Sequence, residues 1–204
     1  MASLKARTIF RKGVWEENPV FRQILGICSA LAVTNLMTNT LIMGLGLIFV
    51  TAMSGATVSA LRKITPDRIR MMVQVLIIAS YVMMVDIFLQ AYLPEISKAL
   101  GPYVGLIITN CIIMGRCEGY ARVNPVWPSF LDGIASGTGY ALVLLAIAFV
   151  RELLGFGSVF GIPVLPAGWV PWTIMVMAPA GFFMLALFIW VAYGLENRTT
   201  RKKG

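Results

Sequence analysis

The chain has 204 residues, of which 58% are hydrophobic and only 13% charged, and its mean hydropathy is +0.82. Water-soluble domains carry about 25% charged residues, so this composition excludes an ordinary soluble fold and predicts an integral membrane protein. The net charge of +8 does not indicate nucleic-acid binding, because the basic residues lie in short segments beside apolar stretches. The chain contains no histidine, which excludes imidazole chemistry.

Long uncharged stretches predict six transmembrane helices, because a bilayer core takes about 20 helical residues per crossing. These segments lie near residues 24–36, 40–61, 69–93, 103–115, 131–151 and 172–194. The first and the fourth are short for a full crossing, so both are predicted to be truncated helices. Residues 1–21 carry four basic side chains but no apolar run with a small-residue cleavage site, so we do not expect a signal peptide.

The first half of the chain combines one truncated segment with two full ones. The truncated segment carries Cys28, and a polar break follows it between residues 35 and 40. The third segment contains Asp86. An ionisable residue within a span is costly, so Asp86 is a candidate for an ion pathway or a buried pair. The alternative is a position near the outer end of the helix, where its carboxylate reaches water.

The second half repeats this order. Its truncated segment carries Cys111 and is followed by Arg116 and Cys117. Asp132 follows at the start of the next segment. There it is interpreted as a residue near a helix N-terminus, where the helix dipole favours a carboxylate, with a role in an ion pathway as the alternative.

Three further features follow Asp132. The glycine-rich run Gly133–Gly139 lacks the lysine of a phosphate-binding loop and predicts close helix packing. Arg151 and Glu152, at the end of the segment, are predicted to form an interfacial ion pair. The stretch from Gly155 to Trp172 contains three prolines and predicts a loop on the outer surface.

The distribution of lysine and arginine predicts the orientation of the chain. If all six segments cross, 15 basic residues lie on the side of the two termini, and only Lys98 and Arg151 lie opposite. This bias places both termini in the cytoplasm. If the two short segments dip into the membrane and return, the bias falls to 12 against 5. The crossing arrangement is therefore preferred.

The two halves resemble each other, and each contains three crossings. Because three is an odd number, the two copies must have opposite orientations. We predict a single membrane domain, residues 1–204, built from two inverted repeats near residues 20–93 and 101–194, with the first helix of each repeat short. Inverted repeats with interrupted helices place a functional site near the bilayer midplane, where the broken elements meet.

Cys28 and Cys111 occupy matching positions in the two repeats and are candidate metal ligands. The alternative is that both are small packing residues in apolar helices. Tetrahedral zinc and iron–sulfur clusters commonly take four protein ligands, so two thiolates do not complete such a site. A similar partner subunit that adds two cysteines is the simplest completion.

The residues around the two cysteines form recognisable motifs. Residues 24–34 read ILGICSALAVT, and residues 104–116 read VGLIITNCIIMGR. Both resemble the cysteine motifs of the Nqr/Rnf family of membrane subunits, in particular of the D subunits of the Na⁺-translocating NADH:quinone reductases. The similarity continues through residues 128–133 and 151–155, and it covers nearly the whole chain from Asn18 to Trp190.

The resemblance implies a multi-pass component of a six-subunit, redox-driven translocase in the bacterial inner membrane. It also implies that Cys28 and Cys111 join two cysteines of a homologous, inverted partner, the E subunit, to hold an iron centre. A [2Fe-2S] cluster is expected, with a mononuclear iron as the alternative. Electrons from NADH would pass through it between flavins held by other subunits and reach ubiquinone, while Na⁺ is exported. Cys117 stands where the family usually has alanine, and it is not expected to be a ligand.

Two alternatives remain open. The first is the E subunit of the Rnf ferredoxin:NAD⁺ oxidoreductase complex, in which a proline commonly follows the first cysteine. Ser29 stands at that position here, and together with the Val-Asp context of Asp86 it favours the quinone reductase. The second is a stand-alone secondary transporter built on the inverted repeat, which would need neither iron nor a partner.

Overall fold

The computed structural model describes residues 25–92, 94–160, 162–163, 172, 174 and 177–201. In these ranges the chain forms α1 (Ile27–Val33), α2 (Met37–Leu61), α3 (Arg70–Tyr92), α4 (Pro94–Ile108), α5 (Cys111–Arg116), a π-helix (Cys117–Ala121), α6 (Val126–Gly155) and α7 (Ala178–Arg201). Strands occur among the described residues only as β1 (Ser158–Val159) and β2 (Ile162–Pro163), which form a two-residue antiparallel pairing. The predicted all-α class is confirmed.

Three helices, α2, α3 and α6, are long and apolar enough to cross a membrane. They have 25, 23 and 30 residues, or about 38, 35 and 45 Å of helix, against a hydrocarbon core of about 30 Å. Their positions agree with three predicted segments, although α6 extends beyond residues 131–151 at both ends. The last predicted segment corresponds to the shorter apolar stretch Pro179–Gly194 within α7. The basic segment before residue 25 and residues 164–171 of the predicted loop lie outside the described residues.

The first predicted break is present but begins earlier than expected. The helix α1 has only seven residues and ends at Val33, and α2 already begins at Met37. Thr40 therefore lies inside α2, where its hydroxyl donates to the Val33 carbonyl oxygen at 3.0 Å. The sequence predicts that Thr40 belongs to the break, but it lies in the first turn of α2. From there its hydroxyl binds a backbone carbonyl oxygen at the end of α1 that has no partner within that helix.

The fourth predicted segment, residues 103–115, is wrong in its extent. Two helices occupy this region, α4 and α5, and the π-helix continues α5 to Ala121. Asn110 separates them because it adopts an extended conformation and its Oδ1 accepts a hydrogen bond from the Ile112 backbone N–H at 3.0 Å. Such a cap starts a new helix instead of continuing the previous one. The element is therefore long and interrupted, and not half a helix.

The helices α2 and α6 form the most extensive helix pair in the described part of the chain, and they run antiparallel. Glycines bring their backbones together: a Cβ atom added at Gly133 would lie 2.7 Å from the Ala52 Cα atom, and one added at Gly137 would lie 3.0 Å from the Ile48 Cα atom. Small residues allow this close approach in apolar surroundings, where van der Waals packing drives helix association. The prediction of close packing for Gly133–Gly139 is confirmed.

Polar contacts join α2 to α6, and to the turn before α6, at both ends of the bundle. At one end, the Ser59 hydroxyl donates to the Asn124 carbonyl oxygen at 2.6 Å, and Arg62 donates to the Val123 carbonyl oxygen at 3.0 Å. At the other end, the Met37 backbone N–H donates to Glu152 Oε2 at 2.6 Å. These bonds fix the register of α2 against α6, and through it the level at which the two cysteine segments meet.

The glycine contact predicts an asymmetric response to two Gly-to-Ala substitutions. In Gly133→Ala the new methyl group meets backbone atoms of α2 that cannot move aside, so we expect a loss of about 1–3 kcal/mol of stability. Gly46→Ala is the matched control, because its Cβ atom would meet only Val85 Cγ1 at 3.5 Å, an ordinary contact distance. Thermal unfolding of the two purified variants measures the difference. Equal unfolding temperatures for the two variants would show that the backbones of α2 and α6 are not in close contact at Gly133.

Candidate functional site

Both cysteines of the predicted site lie in the first turn of a short helix that starts at a break. Gly26, with φ of 82°, precedes α1, which makes Cys28 its second residue. Asn110 precedes α5, which makes Cys111 its first residue. The left-handed conformation is accessible to glycine at little cost and disfavoured for other residues. Gly26 is therefore the residue that allows the first break.

The two breaks are in direct contact. The Gly26 backbone N–H donates to Cys111 Sγ at 3.1 Å, and Cys28 follows only two residues later. A Cβ atom added at Gly26 would lie 2.6 Å from Ile112 Cδ1. The fold thus brings together the segments that carry Cys28 and Cys111.

The third cysteine is directed elsewhere. Cys117 is 1% exposed, and its thiol contacts the Ser54 hydroxyl of α2 at 3.8 Å. In contrast, Cys28 is exposed and Cys111 is half-buried, and all three cysteines are free. Cys117 is therefore packed between helices, while Cys28 and Cys111 remain open on at least one side.

The ligand set fits half of an iron–sulfur site. Among the residues that the structure describes, no group of three or more Cys, Asp or Glu side chains gathers to hold a metal. The two cysteine segments meet at the breaks, a backbone N–H already points at one sulfur, and the exposed Cys28 leaves room for ligands from outside the chain. Hydrogen bonds to sulfur are a usual means of tuning such centres. A four-thiolate shell would require two further cysteines from a partner.

A buried polar network lies behind the two cysteines, and the sequence pattern did not predict it. The Tyr140 hydroxyl of α6 donates to the Gly26 carbonyl oxygen at 2.9 Å and is hydrogen-bonded to the Ser29 hydroxyl. The Asn110 side-chain amide donates to the same Ser29 oxygen at 3.2 Å. Ser29 and Asn110 adjoin the cysteines in sequence and stand out as polar residues in apolar segments. Tyr140 gives no such signal.

Asp132 does not lie near a helix N-terminus, so that interpretation is wrong. The helix α6 begins at Val126, six residues earlier, because the chain turns at Pro125. Asp132 is 5% exposed, and its Oδ2 lies 3.6 Å from Nε of Arg116. An apolar environment makes a lone carboxylate costly, and the arginine offsets that cost. The charge of Asp132 is therefore balanced within the chain.

Arg151 and Glu152, which the sequence predicts to form an interfacial pair, are both buried in the helix bundle, at 2% and 1% exposure. Arg151 donates to the Thr34 hydroxyl at 2.6 Å and to the Met177 carbonyl oxygen at 3.1 Å. Glu152 binds the first backbone N–H of α2, at Met37. A cation at the end of α1 and an anion at the start of α2 both complement the helix dipoles.

Asp86 lies apart from these groups. It is half-buried on α3, and its Oδ2 accepts a hydrogen bond from the Gln90 amide at 2.9 Å, one turn further along the helix. The face of α3 around it exposes large apolar side chains, among them Met83, Met84 and Ile87. Of the four predicted site residues, the structure places Cys28 and Cys111 on segments that contact each other, and it leaves Asp86 on an outer face.

Comparison with known proteins agrees over almost the whole chain. A family model described as Rnf-Nqr subunit, membrane protein, matches residues 6–189. The D subunit of the Na(+)-translocating NADH-quinone reductase of Chlamydia abortus is 44% identical over an alignment of 213 positions, which covers 99% of this chain and all of the relative. Proteins of the same name from Chlamydia trachomatis serovar L2 and Pseudoalteromonas translucida are 48% and 49% identical, over 96% and 87% of both chains respectively.

The break at Gly26 predicts a local response to Gly26→Ala. Alanine in the left-handed conformation costs about 1–2 kcal/mol, and its methyl group would also meet Ile112 and the Tyr140 ring. We expect a lower unfolding temperature and faster alkylation of Cys111 by a maleimide, measured peptide by peptide with mass spectrometry. Gly105→Ala is the control, since no atom lies within 4 Å of its added methyl group. Identical alkylation of Cys111 in both variants would contradict the role of Gly26.

Proposed function

The chain belongs to the Rnf-Nqr family of membrane subunits, and on that premise we propose that it works as the D subunit of a Na⁺-translocating NADH-quinone reductase. The observation that carries this proposal is the match to relatives of that name over 87–99% of the chain, at 44–49% identity. A match of this length covers both cysteine segments and every described span candidate. The enzyme is a redox-driven translocase, in which electron transfer from NADH to quinone is coupled to Na⁺ transport.

The role of this chain within that enzyme is to hold half of an iron centre. We propose Cys28 and Cys111 as two of four thiolate ligands, with the other two supplied by a homologous, inverted E subunit. The contact between the two breaks and the exposure of Cys28 support this assignment. A [2Fe-2S] group held there would supply one-electron transfer between flavins on other subunits. The chain itself contributes the two thiolates and the Gly26 N–H bond to sulfur.

We also propose that the chain crosses the membrane six times, as two inverted repeats of three segments each. Cys28 and Cys111 are 83 residues apart, and the same offset carries Thr51 of α2 onto Ile134 of α6. The carbonyl oxygen of Thr51 lies against Gly133, near the middle of the antiparallel contact between these helices. A two-fold axis that exchanges the two repeats would therefore map this interface onto itself. The antiparallel packing supports an inverted relation between the halves.

The proposed orientation places both termini in the cytoplasm of the bacterial cell, with the chain in the inner membrane. The contacts support it, because the two basic loops predicted to be cytoplasmic meet at one end of the bundle. Arg70 pairs with Glu118 of the π-helix at 2.5 Å, and Arg122 lies 3.6 Å from Asp67. Arg151, predicted to lie on the opposite side, binds Thr34 and Met177 at the other end of α2 and α6.

We also propose Asp86 as part of a cation pathway, with Asp132 as the second candidate. A carboxylate within a span is costly and is a default candidate for ion transport. Asp86 is hydrogen-bonded to the uncharged Gln90, whereas a cation at Asp132 would compete with Arg116. The contacts therefore favour Asp86.

The cysteine assignment predicts the effect of three serine substitutions. Cys28→Ser and Cys111→Ser should each lose the iron of this site, because an incomplete thiolate shell does not hold the cluster. Electron flow from the entry flavin to the later flavins should then stop. Cys117→Ser is the matched control and should retain both, since its thiol packs against Ser54. Iron content by mass spectrometry and flavin reduction by NADH, on the assembled complex, measure the outcome. Full iron in Cys28→Ser and Cys111→Ser would return both cysteines to a packing role.

The cation pathway predicts that Asp86→Asn weakens the dependence of turnover on Na⁺, because the substitution removes the charge while keeping the shape. Asp67→Asn serves as the control, since Asp67 is 83% exposed at the end of the bundle and its ion pairs are worth little. The measurement is quinone reduction as a function of Na⁺ concentration. Unchanged Na⁺ activation in a normally assembled Asp86→Asn complex would leave Asp86 as a surface residue.

The orientation predicts opposite results for two reporter fusions. An alkaline-phosphatase fusion at Thr65 should be inactive, because that loop lies in the cytoplasm, and one at Gly161 should be active, because that position lies outside. The two fusion sites are comparable because each follows a long helix: Thr65 follows α2, and Gly161 follows α6. Activity at Thr65, or its absence at Gly161, would reject the six-crossing arrangement.

A further inference from the structure

The hydroxyls of Tyr140 and Ser29 both lie within hydrogen-bond distance of the Gly26 carbonyl oxygen, at 2.9 and 3.3 Å. In the arrangement with the shorter bond, Tyr140 donates its one hydroxyl proton to that oxygen. Its oxygen can then accept the Ser29 proton, and Ser29 in turn accepts from the Asn110 amide at 3.2 Å. Each hydroxyl thus donates once and accepts once. The chain of bonds runs from the second break, through Ser29 and Tyr140, to the first break.

Tyr140 is the member of this chain of bonds that lies far from both cysteines in sequence. Ser29 follows Cys28, and Asn110 precedes Cys111 and caps the helix that Cys111 starts. Gly26 is bound on both sides, because its carbonyl oxygen accepts from Tyr140 and its N–H donates to Cys111 Sγ. Tyr140 is fully buried and belongs to α6, the helix packed closely against α2. It therefore connects both breaks to the most extensive helix pair among the described elements.

We propose that Tyr140 is a positioning residue for the iron centre: by binding the Gly26 carbonyl oxygen, its hydroxyl holds the left-handed conformation of Gly26, in which the N–H of that residue stays aimed at Cys111 Sγ and both thiols keep one geometry. The inference rests on the proposed iron site and extends it to residues that are not ligands. Hydrogen bonds to cluster sulfur set the reduction potential, and groups that orient metal ligands typically contribute about 10–100-fold in metal affinity. The hydroxyl thus controls both how tightly the centre is held and its potential.

A packing role for Tyr140 alone makes a different prediction. The ring touches the Gly26 position closely, with Cε2 2.7 Å from where a Cβ atom would be. Phenylalanine retains this ring contact and loses only the hydroxyl. If packing were the whole contribution, Tyr140→Phe would leave the centre unchanged. A change in the potential or the spectrum of the centre is therefore specific to the hydrogen bond.

The test uses the assembled complex carrying Tyr140→Phe. We expect iron to be lost to a chelator at about 10-fold lower chelator concentration than in the parent complex. The midpoint potential of the iron signal, followed by electron paramagnetic resonance, should also shift. Ser29→Ala removes the middle link of the same chain, leaves the ring in place, and should shift the potential in the same way. If the Tyr140→Phe complex assembles poorly, the Ser29→Ala complex tests the same chain of hydrogen bonds.

Tyr81→Phe is the matched control. The Tyr81 hydroxyl is bonded to the Thr57 hydroxyl at 2.8 Å and joins α3 to α2 away from the cysteines. This variant should keep the iron affinity and potential of the parent. An unchanged potential and iron content in both Tyr140→Phe and Ser29→Ala, together with iron loss in Cys28→Ser, would overturn the role of Tyr140 and leave the iron site standing. Iron retained in Cys28→Ser would overturn the iron site itself, and with it this inference.

Discussion

The structure depends on how it satisfies backbone polar groups where helices break inside an apolar segment. Hydrocarbon offers no water to bind a free N–H or C=O group, so irregular backbone there must be bound by protein. At the first break, Gly26 is bound through both its N–H and its carbonyl oxygen. At the second, Asn110 caps the new helix with its own side chain and donates to Ser29. The first break is therefore bound by Cys111 and by Tyr140 of α6, and the second break contacts the first through Asn110 and Ser29.

The close packing of α2 and α6 makes this arrangement rigid. Glycines let the two backbones touch, and charged residues near the end of α6 bind the ends of neighbouring helices. Buried Arg151 and Glu152 each meet a helix terminus of complementary partial charge. This scaffold holds Tyr140 at a fixed height beside the cysteine segments. A redox site needs such a frame, because electron transfer at a constant potential requires a ligand geometry that does not change.

Local patterns predicted some features of this protein correctly and others wrongly, for identifiable reasons. The long spans and the glycine packing were confirmed, because hydropathy and small residues act locally along one helix. The apolar run predicts that α6 starts near residue 131, whereas the turn at Pro125 determines its start, so the predicted position of Asp132 near the N-terminus of the helix is wrong. The local sequence around Arg151 and Glu152 predicts an interfacial pair, but it does not show that both side chains are buried in the bundle. Their partners, Thr34 and Met37, come from a different part of the chain.

The sequence by itself determined that this is a membrane protein, where its longest spans lie, and which family its cysteine motifs resemble. Those properties follow from composition, from hydropathy and from the residues around Cys28 and Cys111. The tertiary structure decided that the two breaks touch, that Tyr140 connects them, and that Cys117 is turned away. The bonds concerned join residues 85 and 114 positions apart. Such bonds form only after packing has brought distant segments together, so no local pattern of residues encodes them.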